Sequence, residues 1–435
     1  MDAVTVAKVV GSGTCIVLSA HTDSRVGSLA QSALSDIRVL DFTQYIAGPY
    51  CTKLLADYGA EVLKVERPGT GDGARRMGPF PSDTPHPEKS GTFLHLNTNK
   101  RSVTLDLKTD EGRQIALDLA ARVDVVVESF RPGTMEDFGL SYEALSGSNP
   151  SLVMTSISNF GLTGPYRDWR GSELIFYGMG GELYSTGVSE KEPLKLGGTV
   201  GLYQAGTIAA YATLGAIFAA RDDGGGQHVD VSIMETQTGS IDRRMSMLLA
   251  YQYNGEITER APLGSATGSG GYPSGVYPCA DGFFQFTGGG NYFPRVLEML
   301  RYPDELSGDE WLTPEAQADE DMQGLFDAVF YPWLLDRTKS EIWEVAQKSR
   351  VLSGPLNTME DLHHDPIFHQ RGAFAEAEHP EAETLRYPGR PFIMGATPWA
   401  IRRPAPLLGQ HTDEILAELG LSDSQIGAFR DGGVV

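Results

Sequence analysis

The chain has 435 residues, enough for a large core and about two domains at about 100–200 residues each. Hydrophobic content of 41% is that of a folded globular protein and not of a disordered one. A net charge of −22 argues against nucleic acid as a partner, and three scattered cysteines without a CxxC pair fit a reducing compartment, the cytoplasm.

In the first 35 residues, the mildly apolar run 15–20 lacks the basic start and continuous apolar stretch of a secretory signal and reads as an extension. Residues 37–43 (IRVLDFT) predict a strand, and Ala47-Gly48-Pro49 opens a helix that continues to Ala60. Further strands are predicted at 61–66, 102–107, 124–128 and 151–157, with a helix over 110–122 that carries acidic residues in its first turn. The apolar runs do not alternate cleanly, as expected for strands covered on both faces. Strands alternating with helices predict a doubly wound, mostly parallel α/β domain.

Residues 196–220 contain no charged side chain. About 20 apolar residues can span a bilayer, but this segment holds five glycines, Gln204 and two tyrosines. It reads as a turn followed by a buried helix over 207–220, not as a membrane span. A short strand is predicted at 228–231, a glycine-rich loop at 262–275, and a hairpin from 276–278 to 283–286 around Ala280-Asp281-Gly282. These features predict a second, smaller domain over 226–360, with 361–435 returning to the first.

Common catalytic signatures are missing. Gly69-Thr70-Gly71-Asp72-Gly73 follows a strand without completing a dinucleotide or P-loop pattern, and there is no GxSxG or HExxH. His363, His364, Asp365 and His369 are not spaced to share one helical face, so no metal site is expected. The basic residues say more. Lys64, Arg67, Arg75, Arg76, Lys100, Arg101, Lys108 and Arg131 cluster around predicted strand ends, where open α/β sheets bind ligands. In so acidic a chain they predict an anionic, phosphorylated ligand.

The segments 39–72 (VLDFTQYIAGPYCTKLLADYGAEVLKVERPGTGD), 99–113 (NKRSVTLDLKTDEGR), 124–140 (DVVVESFRPGTMEDFGL), 224–236 (GGGQHVDVSIMET) and 403–416 (RPAPLLGQHTDEIL) resemble, in order, the class III CoA-transferases. That family includes formyl-CoA and carnitine CoA-transferases and the α-methylacyl-CoA racemases. The resemblance implies a large Rossmann-like domain from both chain ends (36–225 and 361–435), a smaller α+β domain (226–360), and a dimer of interlocked rings. It implies CoA or acyl-CoA as substrate, with no covalently bound cofactor, and a carboxylic acid as co-substrate. The positions it assigns to CoA fall on Ala47, Arg67, Leu105, Lys108, Phe130 and Arg170, and its glycine lid on Gly268, Gly270 and Gly271.

In the family's usual chemistry an aspartate attacks the acyl-CoA thioester, and the resulting anhydride becomes an aspartyl-CoA thioester that passes CoA to the acceptor acid. The aspartate stands in an Asp-x-x-x-Gly pattern. Here that glycine is Gly206, which puts Leu202 at the nucleophile's position, and 196–220 holds no acid to replace it. A glutamine, an asparagine and an arginine that often accompany CoA are replaced by Ile46, Ser129 and Asp137. Glu173, in RGSELIFYGMGG (170–181), matches an acidic position of the substrate pocket and is the remaining candidate acid or base.

Three readings follow. The chain is the non-nucleophilic subunit of a heteromer with an Asp-bearing paralogue, as the resemblance to benzylsuccinate CoA-transferases implies, although a homodimer is the family's simpler form. Alternatively it is a racemase, isomerase or lyase that uses Glu173 as acid or base, a reading weakened by the absence of histidine between 96 and 227. In the third reading it is a transferase with Glu173 as its nucleophile.

Overall fold

The computed structural model describes residues 32–239, 242–260 and 271–435. The expected extension therefore lies outside the described residues except at its end, and the lid positions Gly268 and Gly270 lie outside them too.

The first half of the chain alternates strand and helix: β1 (Arg38–Phe42), α1 (Ala47–Asp57), β2 (Glu61–Glu66), α2 (Gly91–Leu96), β3 (Lys100–Thr104), α3 (Asp110–Ala120), β4 (Val125–Glu128), α4 (Thr134–Asp137), α5 (Tyr142–Ser148) and β5 (Val153–Ser158). After α6 (Glu173–Met179), the long α7 (Val200–Asp223) leads into β6 (His228–Ser232). The strands form one sheet in the order β3-β2-β1-β4-β5-β6, with all pairs parallel. Order reverses between β1 and β4, which makes their carboxyl ends the switch point of a doubly wound fold.

Two findings differ from expectation. β6 is the sixth strand of the large sheet and not the start of a small domain, because it pairs with β5 from Met154↔His228 onward. β3 begins at Lys100, so Lys100 and Arg101 lie within the strand and not before it. Buried partners make that possible: Lys100 Nζ meets Asp41 at 3.0 Å and Thr52 Oγ1 at 2.7 Å.

One face of the sheet packs on α1 and α7 through Val39, Val125, Val127 and Val153, the other on α3 and the C-terminal helices α16 (Thr412–Glu418) and α17 (Asp423–Asp431). The C-terminal segment thus joins the core of the first half: Ile415, Leu416 and Ile426 pack with Val103, Val126 and Ile115.

Helix α7 is long and apolar enough to cross a membrane by composition. Its alanines are instead a packing face, with Ala205, Ala209, Ala210 and Ala216 buried against α1 and the sheet. It starts at Val200, seven residues before the expected start. Gly206 sits inside it because a Cβ there would lie 2.4 Å from the carbonyl oxygen of Ala47. The close helix crossing outweighs the roughly 1 kcal/mol that glycine costs a helix.

After α8 (Ile233–Gly239) and α9 (Asp242–Asn254), a three-stranded sheet is built from β7 (Ser274–Cys279), β8 (Gly282–Thr287) and β9 (Leu352–Pro355). The expected hairpin is present, with Cys279 opposite Gly282. With α10 (Phe293–Met299), α11 (Pro314–Ala318), α12 (Glu320–Leu335) and α13 (Lys339–Lys348) it encloses its own aromatic core around Phe284, Phe286, Phe326 and Phe330. Helices α14 (Met359–His364) and α15 (Pro366–Gln370) precede a hairpin of β10 (Phe374–His379) and β11 (Glu383–Pro388). His364 and His369 bond backbone carbonyls there, and no group of three or more metal-ligating side chains is found among the described residues.

Candidate active site

The carboxyl ends of β1 and β4 diverge at the switch point, and two turns face each other there. Ser129, after β4, accepts the Gln44 amide at 2.9 Å, which ties the turns together. After β1 the backbone takes an unusual path: Tyr45 has φ of +66° and donates its amide to Asp72 at 2.8 Å. Asp72 also accepts the Ala74 amide and pairs with Lys64 at 2.8 Å, so the glycine-rich loop after β2 is held from inside.

The basic residues divide into two groups. Lys64, Arg75 and Lys100 are buried and internally paired, so the expectation that they serve a ligand is corrected. Arg75 bonds Glu66 at 2.7 Å and Glu88 at 2.6 Å and stacks on Phe93. Arg101 is also engaged, with Glu61 and Glu418. Arg67, Lys108, Arg131 and Arg170 are exposed and form no ion pair among the described residues. They follow β2, β3, β4 and β5, which puts two of them at the ends of the neighbouring strands β2 and β3, one across β1 at the end of β4, and Arg170 on the long connection before α6. Sequence alone does not mark which cations are spent internally, because Asp41 meets Lys100 only through the folded sheet and nothing local distinguishes Asp72 as the partner of Lys64.

Of the remaining expected CoA positions, Ala47 is the first residue of α1 and buried, Leu105 is buried in the core, and Phe130 is half-buried with its ring edge-on to Phe138. Ala47 and Leu105 can therefore meet a ligand only through their backbones. Gly271 has φ of +53°, in the left-handed region that favours glycine.

Leu202, where the resemblance puts the family's aspartate, lies in the first turn of α7, half-buried against the core that contains Ala47 and Ala205. Glu173, the first residue of α6, is beside it. One carboxylate oxygen accepts the Gly201 amide at 2.9 Å and the other pairs with Lys195 at 2.8 Å. Thr199 caps α7 with no side-chain bond, so Glu173 supplies the cap from another helix. Gln237 of α8 completes this corner: its amide nitrogen is 3.3 Å from the Gly201 carbonyl, while its own oxygen is buried without a partner among the described residues. Lys195 and Gln237 were not singled out from sequence, since neither belongs to a motif. A cavity of about 700 Å³ is walled by β7, α11, α12 and the Gly271 end of the glycine-rich loop, and no residue of the parallel sheet lines it.

A doubly wound parallel sheet with exposed cations along its carboxyl edge is the layout found in folds that bind phosphorylated ligands. The comparisons make this specific. The chain belongs to CoA-transferase family III, the CaiB/BaiF family, whose model matches residues 34–412. It is 35% identical to the succinyl-CoA–D-citramalate CoA-transferase of Chloroflexus aurantiacus, over 91% of this chain and 96% of that protein. It is 32% identical to the succinyl-CoA:(R)-benzylsuccinate CoA-transferase subunit BbsE of Thauera aromatica, over 89% and 94%. A CaiB/BaiF-family crystal structure from Brucella suis superposes with a TM-score of 0.79 at 27% identity, covering 89% of this chain and all of that one. The chain is thus a CoA-transferase, with CoA thioesters as substrates.

Proposed function

We propose that the chain is the non-nucleophilic subunit of a cytoplasmic CoA-transferase built from two unlike, interlocked chains, and that it moves CoA between succinyl-CoA and a second dicarboxylic acid. The first turn of α7 carries the reading. Leu202 stands four residues before Gly206, at the nucleophile's expected position, and a hydrocarbon side chain cannot attack a thioester. Glu173 has both oxygens committed to Gly201 and Lys195, which leaves it a poor substitute.

The relatives support the rest. One is named as a subunit, and both named activities pair succinyl-CoA with a dicarboxylic acid. On α7, Tyr211, Leu214 and Phe218 form an exposed apolar stripe at helical spacing, with Tyr211 78% and Phe218 79% exposed. Such a stripe suits burial under a second chain. In this assembly Arg67, Lys108, Arg131 and Arg170 hold the CoA phosphates, Ala47, Leu105 and Phe130 shape its bed, and Gly271 belongs to the lid. The separate aromatic core of residues 277–351 supports a small domain within 226–360, with β6 left to the large one.

Trapping tests this. The chain is incubated with succinyl-CoA, alone and as purified from its source, then treated with hydroxylamine and analysed by mass spectrometry. The expected adduct maps to an aspartate of the accompanying chain, the solitary chain gives none, and Leu202→Asp creates one in the solitary chain. An adduct on Glu173 of the unmodified solitary chain overturns the proposal in favour of Glu173 as the nucleophile. Glu173-dependent exchange of the α-hydrogen of a 2-methylacyl-CoA overturns it in favour of a racemase.

A further inference from the structure

Glu128 ends β4 at the switch point, on the sheet face away from α7. Its carboxylate accepts the Phe130 amide at 2.7 Å, so this side chain holds the turn that carries Ser129, Phe130 and Arg131. Strand register puts Ser156 of β5 beside it and Asp230 of β6 beside Ser156. The Ser156 hydroxyl lies 2.8 Å from His228 Nε2, and the His228 ring stacks on Tyr142. A cavity of about 40 Å³ between Glu128, Arg131, Glu136 and His228 has room for about one or two waters.

The transferase chemistry described above makes no use of this buried acid, and its surroundings are predominantly acidic. Glu136 of α4, Glu143 of α5 and Asp230 of β6 face it, with His228 and Tyr142. Arg131 is the one cation lining the cavity, and it is exposed. Burial pushes the Glu128 carboxyl up to about 7, with bonds from Ser156 and Phe130 opposing and the charges of Glu136 and Asp230 adding to the rise. Burial also lowers His228, against the opposing charges of Asp230, Glu143 and Glu136, which favours its neutral ring.

We propose that Glu128 is a positioning residue that couples proton uptake to CoA binding, an inference that rests on the reading of this edge as the CoA site. Neutral Glu128 holds the Phe130 turn without adding negative charge behind the bound CoA anion. Ionised Glu128 sets a buried negative charge there, where low dielectric makes repulsion strong. By linkage, CoA raises the proton affinity of Glu128 by the factor by which the proton raises CoA affinity.

The test is calorimetric titration of the protein with free CoA from about pH 6 to about pH 8.5, in buffers of different ionisation enthalpy. CoA affinity is expected to fall with rising pH, by up to about tenfold for each unit by which CoA raises the Glu128 pKa, with net proton uptake near neutrality. In Glu128→Gln that part of the pH slope and of the uptake disappears, whatever the absolute affinity. Ser156→Ala removes the neighbouring hydroxyl that favours the charged carboxylate and moves the midpoint up, a second readout if the glutamine variant does not fold. An unchanged profile in either folded variant overturns the proposal alone. Failure of CoA to bind at any pH overturns the reading of this edge as the CoA site and the proposal with it.

Discussion

Glu173 caps a helix to which it does not belong: its carboxylate accepts the Gly201 amide at 2.9 Å, 28 positions further along the chain. A negative charge at the start of the 24-residue α7 is favoured by the helix dipole, and Lys195 balances it at 2.8 Å. Glu173→Gln keeps an acceptor for Gly201 but removes the charge that Lys195 meets. A loss of about 1 kcal/mol is expected in urea unfolding, and about 2 kcal/mol for Glu173→Ala, where the amide also loses its partner. A wild-type unfolding midpoint in Glu173→Ala would remove the capping role.

The two classes of cation predict opposite phenotypes. Arg67 is exposed and unpaired among the described residues, so Arg67→Ala is expected to leave the unfolding transition within about 0.5 kcal/mol of wild type. It is expected to weaken CoA binding by about tenfold or more, less so at high salt, because a charge-assisted phosphate contact is lost. Arg75 is buried between Glu66 and Glu88, and Arg75→Ala leaves those carboxylates without their cation. Its main effect is expected on stability, by about 3–5 kcal/mol. Parallel CoA titrations and thermal scans separate the two.

Gly206→Ala tests the helix crossing. The added methyl would approach the Ala47 carbonyl to 2.4 Å, a backbone atom that cannot rotate away. Helix propensity favours alanine by about 1 kcal/mol, but overpacking costs about 1–3 kcal/mol, so net destabilisation is expected. Because Ala47 opens α1 at the switch point, CoA affinity is expected to fall along with the melting temperature. A stabilised variant would mean that the two helices separate freely.

The large sheet was legible because apolar runs and turn residues are local signals: β2 matches its expected limits, and β1 and β5 lie within two residues of theirs. The site was legible in outline, through motifs at strand ends, but two kinds of information were hidden. Lys64 and Lys100 looked like ligand cations because only the folded sheet brings Asp72 and Asp41 to them. Glu128 looked like the polar end of a strand, and register alone puts Ser156 and Asp230 beside it. Gly206 was recognised through its motif, while its physical reason, the Ala47 carbonyl, requires two helices to be in place.

Asp41 anchors the buried charge cluster beneath the site, and its pH dependence has a definite sign. Burial alone would raise its carboxyl, but Lys100 and Lys64, with the hydroxyls of Thr43 and Thr52, bring it from 3.8 to about 2. A carboxyl whose folded pKa is depressed adds stability that is complete above about pH 4 and lost as the pH falls towards about 2. Asp41→Asn removes this contribution and leaves Lys100 buried with no carboxylate within bonding distance, since Asp41 is its one ion-pair partner among the described residues. A loss of about 3–5 kcal/mol at neutral pH is expected from urea unfolding, with a flatter acid limb. Adding Lys100→Met should recover part of that loss, because burial already brings the Lys100 ammonium down to about 8 and without Asp41 it must sit buried unpaired or give up its proton. A double variant no more stable than Asp41→Asn would mean that hydrogen bonds to Thr43 and Thr52, and not charge neutralisation, are what Asp41 contributes.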